Sequence, residues 1–156
     1  MPSMKRHRRI RLDVPLYGDE GRIVSITIAA AGRNRVFTDE RVAHAATGVL
    51  RGPATALEVP IYAYCVMPDH VHLVLSPAPA CDAIAFVARF KSLTLRSVWE
   101  LGIKGSFWQR GFWDRILRKD EDLRTAVDYV LNNPVRQGLV ASWRDYPFCG
   151  SLELDL

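Results

Sequence analysis

Three observations predict an α+β fold in which an antiparallel sheet is covered by helices. Residues 22–31 (RIVSITIAAA) and both halves of residues 62–75 are short, apolar, β-branched runs of strand length. Between them lie stretches of helical period with recognisable starts and stops. The resulting order is strand, helix, strand, strand, helix, strand, helix. At 156 residues the chain suits one domain with a real core, residues 1–156, and its 49% hydrophobic content is that of a globular protein. No apolar run nears the ~20 residues of a membrane span. The basic start is not followed by an apolar signal segment, so a cytoplasmic protein is expected. Cys65, Cys81 and Cys149 are scattered and read as small buried hydrophobes in a reducing compartment.

Residues 1–21 form a basic N-terminal arm with Lys5, Arg6, Arg8, Arg9 and Arg11 close together. Such a run is either a solvated terminus or a contact for nucleic-acid phosphates. The net charge of +4 is compatible with a polyanionic partner without requiring one. Residues 22–31 are a buried strand, followed by a basic loop with Arg33 and Arg35. Thr38 is the expected N-cap of a helix running to about residue 50, with Asp39 and Glu40 in its first turn. His44 lies in that helix as an ordinary histidine. The hairpin of residues 62–75 turns tightly at Met67-Pro68-Asp69, and the prolines at 77 and 79 end it.

A long helix is predicted from about 81 to 101, with Gly102 just past its end. Phe86, Val87, Phe90, Leu93 and Leu101 are its expected sheet-facing residues. Arg89, Ser92 and Arg96 share another face with Lys91 nearby, which is a solvated face or a phosphate-binding one. Residues 107–117 interleave aromatics with Gln109, Arg110 and Arg115, a pattern suited to nucleotide stacking and equally to core aromatics with flanking charges. Asp120, Glu121 and Asp122 open a last helix that Pro134 should end. The aromatic tail within residues 141–156 is expected to fold back over the domain. The first six elements thus give β-α-β-β-α-β, the ferredoxin-like pattern, with helices on one sheet face and a C-terminal helix beyond. The other face is free to hold a site.

Two features on that framework carry chemistry. His70 and His72 are separated by one residue in a strand, so they share a face, ~7 Å apart along the backbone. Paired imidazoles can be half of a divalent-metal site, or an idle exposed pair. In the last helix the apolar stripe is Leu123, Val127, Val130 and Leu131, and Tyr129 lies well off it. Asn133, at i+4, is on the same side as Tyr129. Such a tyrosine faces something polar, or is simply half exposed.

The blocks CVMPDHVHLVL, FKSLTLRS, FWQRGFWDRIL and YVLNNPVRQGLV together resemble the single-tyrosine HUH transposases, and most closely their REP-associated branch. The resemblance covers about residues 22–148, with all four blocks in the family's order. That family is built on a ferredoxin-like fold. The resemblance implies that His70 and His72 bind a divalent metal, Mg²⁺ or Mn²⁺, with Asn133 as third ligand, and that Tyr129 is the nucleophile. It implies an enzyme that cuts single-stranded DNA near hairpins through a 5′-phosphotyrosine, releases a 3′-OH and can rejoin strands. Phenols, with pKa near 10, are weak nucleophiles at neutral pH, and a metal that polarises the phosphate would compensate. The candidate DNA contacts, read from charge and patterning, are Lys5, Arg6, Arg8, Arg9 and Arg11 of the arm, Arg33, Arg35, Arg89, Lys91, Arg96, Gln109, Arg110 and Arg115.

Two departures stand out. Arg115 occupies a position where the family often has histidine, and Cys149 and Gly150 stand where it has serines. The main alternative is a non-catalytic nucleic-acid-binding or regulatory protein on the same scaffold, which would need none of the four site residues. A hydrolase of small phosphoesters lacks the carboxylate cluster expected of it. Both a monomer and a dimer with the tyrosine helix supplied in trans remain open.

Overall fold

Alternating apolar strands pair into one antiparallel sheet, here in a computed structural model that describes residues 5–7 (backbone only), 22–52, 58–117 and 123–156. Its strands are β1 (Lys5–His7), β2 (Val24–Ala29), β3 (Ile61–Met67), β4 (His70–Leu75), β5 (Phe112–Ile116) and β6 (Cys149–Gly150), in the spatial order β1-β5-β2-β4-β3-β6. Helix α1 (Glu40–Arg51) connects β2 to β3, and α2 (Ala83–Glu100) connects β4 to β5. The inner four strands and these two helices make up the expected ferredoxin-like unit. After β5 come α3 (Leu123–Leu131) and a one-turn helix α4 (Asn133–Arg136).

Both sheet edges are extended. The aromatic tail does fold back: Tyr146 Oη donates to the Val66 carbonyl at 2.6 Å, and β6 pairs with β3 so that Cys149 lies opposite Cys65. All three cysteines are buried and free, as expected. On the far edge, the segment read as a basic arm supplies β1, whose Lys5 and Arg6 pair in register with Asp114 and Trp113. Arg8, Arg9 and Arg11 lie outside the described residues.

Period-two alternation divides the core. Ile26, Ile28, Val71, Leu73 and Leu75 face α1 and α2, together with Phe86, Val87 and Phe90. Ala63, Cys65, Met67 and Val74 face the other way and pack against Val127, Val130 and Leu131 of α3. The tyrosine helix therefore covers the face that α1 and α2 leave free. The β3–β4 hairpin turns through two residues, Pro68 and Asp69, with Met67 opposite His70.

Several local expectations are corrected. Asp39 rather than Thr38 caps α1, its carboxylate accepting from the Arg41 N–H at 3.0 Å, while Thr38 closes a preceding 3₁₀ turn by donating to the Arg35 carbonyl. The buried stripe of α2 runs through Phe86, Phe90, Thr94 and Val98, whereas Leu93 is half-buried and Leu101 exposed. Asp82 caps the N-terminus of α2. At the C-terminus, Gly102 (φ 86°) donates to the Trp99 carbonyl and Ile103 to that of Val98, the paired bonds of a Schellman motif. Phe107 and Phe112 are core residues, and Trp108 packs on Phe37, Phe90 and Phe107 while its indole N–H donates to the Lys91 carbonyl. Pro134 does not end the helical path. It has no N–H to continue α3, and the chain restarts as α4 after Asn132.

These assignments separate two α2 phenotypes. Phe90→Ala should lower the unfolding free energy by about 3–5 kcal/mol. Leu101→Ala should change it by no more than about 0.5 kcal/mol. Urea unfolding followed by circular dichroism measures both; a comparable loss in the two variants would contradict the observed packing.

Candidate functional site

His70 and His72 open strand β4, and each ring is fixed by a neighbour at its Nδ1. Asp69, in the hairpin turn, places Oδ1 2.6 Å from His70 Nδ1. A carboxylate there can only accept, so His70 carries its proton on Nδ1 and presents Nε2 as a lone pair. Thr27, opposite His72 in the β2–β4 register, places Oγ1 3.0 Å from His72 Nδ1. A hydroxyl can donate or accept, so Thr27 suits either tautomer of His72. The two Nε2 atoms then meet at 3.0 Å with the rings edge to face.

Both imidazoles resist protonation. Burial lowers His70, opposed by Asp69 and assisted by Arg33. Burial, the neighbouring His70 and the charges of Arg136 and Arg33 push His72 down to about 3. Near pH 7 both rings are therefore neutral, the form that binds a metal.

The donor set fits a small divalent cation. Nitrogens 3.0 Å apart can both reach one ion through bonds of ~2.1 Å at an angle of about 90°, as in octahedral coordination; a tetrahedral ion would hold them about 3.4 Å apart. Both Nδ1 atoms already have the outer partners that metal-bound histidines usually have. Asn133 begins α4, is buried, and has an amide Nδ2 without a hydrogen-bond partner. Among the described residues no three His, Cys, Asp or Glu side chains cluster for a metal.

Tyr129 is 41% exposed, on the outer side of α3 as its displacement from the stripe implied. The guanidinium of Arg136 lies over its ring, 3.8 Å from the centroid, and donates to the Tyr129 carbonyl at 2.6 Å. The i+4 relation between Tyr129 and Asn133 spans the break at Asn132, so the two residues belong to different helices.

The residues expected to meet DNA divide sharply. Arg33 and Arg35 line a cavity of about 430 Å³ beside His70, with Asp69, Gln137 and Leu139. Gly32 and Arg33 both adopt left-handed conformations, with φ of 62° and 56°, and Arg33 lies 5.8 Å over the Trp113 ring. Arg115 lies opposite Ser25, whose face of the sheet is that of Thr27 and His72. Arg89 and Arg96 are exposed on α2, across the sheet from the histidines. The Lys91 ammonium donates to the carbonyls of Gln109 and Gly111, at 2.9 and 2.7 Å, and so pins the loop before β5. Gln109 also uses its N–H on the Ala29 carbonyl, while Arg110 is exposed in the same loop.

Residues 22–133 match the family Transposase IS200 like. The chain belongs to that family. The match begins just before β2 and ends at Asn133, so it takes in both histidines and Tyr129. A REP-associated tyrosine transposase of Escherichia coli is 33% identical over 88 residues, which cover 56% of this chain and 52% of the relative. A Haemophilus influenzae relative is 31% identical over 97 residues, 55% of each chain. The matched stretches thus span about half the length of these relatives. The solved structure of a REP-associated tyrosine transposase bound to a REP hairpin superposes with a TM-score of 0.62 at 27% identity, covering 94% of this chain and 82% of that one. A Deinococcus radiodurans protein shares the fold, with a TM-score of 0.51, 24% identity and coverage of 81% and 97%.

Thr27, Asp69 and Arg136 were not apparent as site residues from the sequence. Asp69 read as a turn residue, although its place directly before His-x-His was a usable signal. Thr27 is 45 positions from His72 and becomes its partner only through strand register. Thr27→Val keeps the shape and removes the hydroxyl. It should leave the ring nitrogen of His72 without its partner and cost about 1–3 kcal/mol. Calorimetry gives the stability change; a variant as stable as the unaltered protein would mean that the hydroxyl does not hold the His72 ring.

Proposed function

We propose that this member of the IS200-like transposase family is a strand-cutting and strand-joining enzyme for single-stranded DNA beside a hairpin, with Tyr129 as nucleophile. The observation that carries the reading is the convergence of two neutral imidazoles, their Nε2 atoms 3.0 Å apart and both Nδ1 atoms engaged, on the sheet face that the Tyr129 helix covers. A purely structural or binding role does not call for two half-buried ring nitrogens aimed at each other. The hairpin-bound neighbour supports a DNA hairpin as partner.

In the proposed reaction Tyr129 Oη attacks the phosphorus of the scissile link. An O–P bond forms as the P–O3′ bond breaks, and the phenol's proton is balanced by the one the departing 3′-oxygen takes up. The 5′ end remains as a phosphotyrosine ester, which preserves the phosphodiester's energy for reversal by a 3′-OH. A divalent cation, Mg²⁺ or Mn²⁺, held by His70, His72 and the Asn133 amide oxygen, would supply the charge that stabilises the phosphorane-like transition state. Arg33 and Arg35, which line the cavity with His70, and Arg115, on the same sheet face, would contact the strand's phosphates, and the cations of residues 5–11 would add sequence-independent phosphate contacts.

Tyr129→Phe should abolish the denaturation-resistant protein–DNA adduct while changing DNA affinity by ~1 kcal/mol at most. Incubation with labelled hairpin oligonucleotides and Mn²⁺, then mass spectrometry of digested adducts, tests this; a nucleotide on Tyr62, Tyr64 or Tyr146 would refute it. His70→Ala with His72→Ala should remove both Mn²⁺ binding by calorimetry and cleavage. Asn133→Ala should weaken both, because an amide is the poorer ligand. Full activity of the double histidine variant in chelator would rule out the metal site, and DNA binding without an adduct would favour the non-catalytic alternative.

A further inference from the structure

We infer that Arg136 is a positioning residue for Tyr129, a clasp that fixes where the tyrosine hydroxyl points. This inference rests on the proposed nucleophilic role of Tyr129.

The geometry is specific. One guanidinium holds a single residue at two points, stacking over the Tyr129 ring at 3.8 Å and donating to the Tyr129 carbonyl at 2.6 Å. An exposed tyrosine on a helix otherwise exchanges between rotamers, and its hydroxyl sweeps several ångströms as it does so. A ring pinned against a group that is itself anchored to the same residue's backbone has lost most of that freedom. The clasp depends on the break at Asn132 and Pro134. In a straight helix residues seven apart are separated by ~10.5 Å along the axis, whereas the restart as α4 lets Arg136 fold back over α3.

Charge and shape make the residue type matter. Arginine offers a planar face to the ring and spare donors for the carbonyl, and lysine offers neither together.

The test uses the full chain with Arg136→Met and Arg136→Lys. Single-turnover cleavage of a hairpin oligonucleotide at saturating DNA and Mn²⁺ should fall about 10- to 100-fold in both, the usual scale for a misplaced reacting group. DNA affinity and its salt dependence should be unchanged. Recovery of rate in Arg136→Lys, or a salt slope shallower by about 0.7 in Arg136→Met, would identify a phosphate contact and overturn the inference. A readout without activity separates it from the parent reading: 3-fluorotyrosine at position 129 should show a shifted, narrower ¹⁹F signal in both variants, without DNA or metal. An unchanged signal overturns the clasp. A shifted signal together with a wild-type protein that forms no adduct refutes the nucleophile reading and, with it, the positioning role.

Discussion

The contact between His70 and His72 is the constraint from which the rest of the site follows. Period-two alternation places both rings on one sheet face but leaves their rotation undetermined. Rotation is set by Asp69 from the hairpin turn and by Thr27 from the next strand. The pair therefore depends on the β3–β4 turn having two residues and on the β2–β4 register holding. A slip of one residue between β2 and β4 would move Thr27 off the face and bring an apolar residue opposite His72. The buried alternation of Ile26, Ile28, Val71 and Leu73 on the opposite face resists that slip. The core behind the sheet thus holds the site in front of it in register.

The second determinant is the break between α3 and α4. Val127, Val130 and Leu131 bind the tyrosine helix to β3 and β4, and the helix is then interrupted at Asn132, ahead of Pro134. Three consequences share this cause. Asn133 becomes buried, Arg136 returns over Tyr129, and Gln137 and Leu139 reach the cavity beside His70.

Much of this was legible in the chain. The strand–helix order, the His-x-His hairpin and the displacement of Tyr129 from its stripe are periodic signals, and each needs only neighbouring residues to read. What was missed depends on geometry across elements. The pairing of Thr27 with His72 is a register effect, and the choice between Leu93 and Thr94 for the core of α2 depends on the sheet it meets. The aromatic block left two readings open because Phe107, Trp108 and Phe112 match a stacking platform as well as a core, and composition does not separate the two. Lys91 likewise looked like one cation among several, yet its ammonium holds two backbone carbonyls of the loop before β5.

That loop ties the two sheet faces together. Lys91 comes from α2, behind the sheet, and grips residues 109 and 111, while Trp113, two residues further, lies under Arg33 on the front. Strand β5 also carries Arg115 on the histidine face and Asp114 buried behind it. The position of the cationic side chains beside the site is thus inherited from a strand anchored at its start by a lysine on the far side. Basic residues along this chain are therefore not interchangeable. Those on the open face of α2 are solvated, Lys91 is structural, and Arg33, Arg35 and Arg115 share the histidine side of the sheet or its cavity.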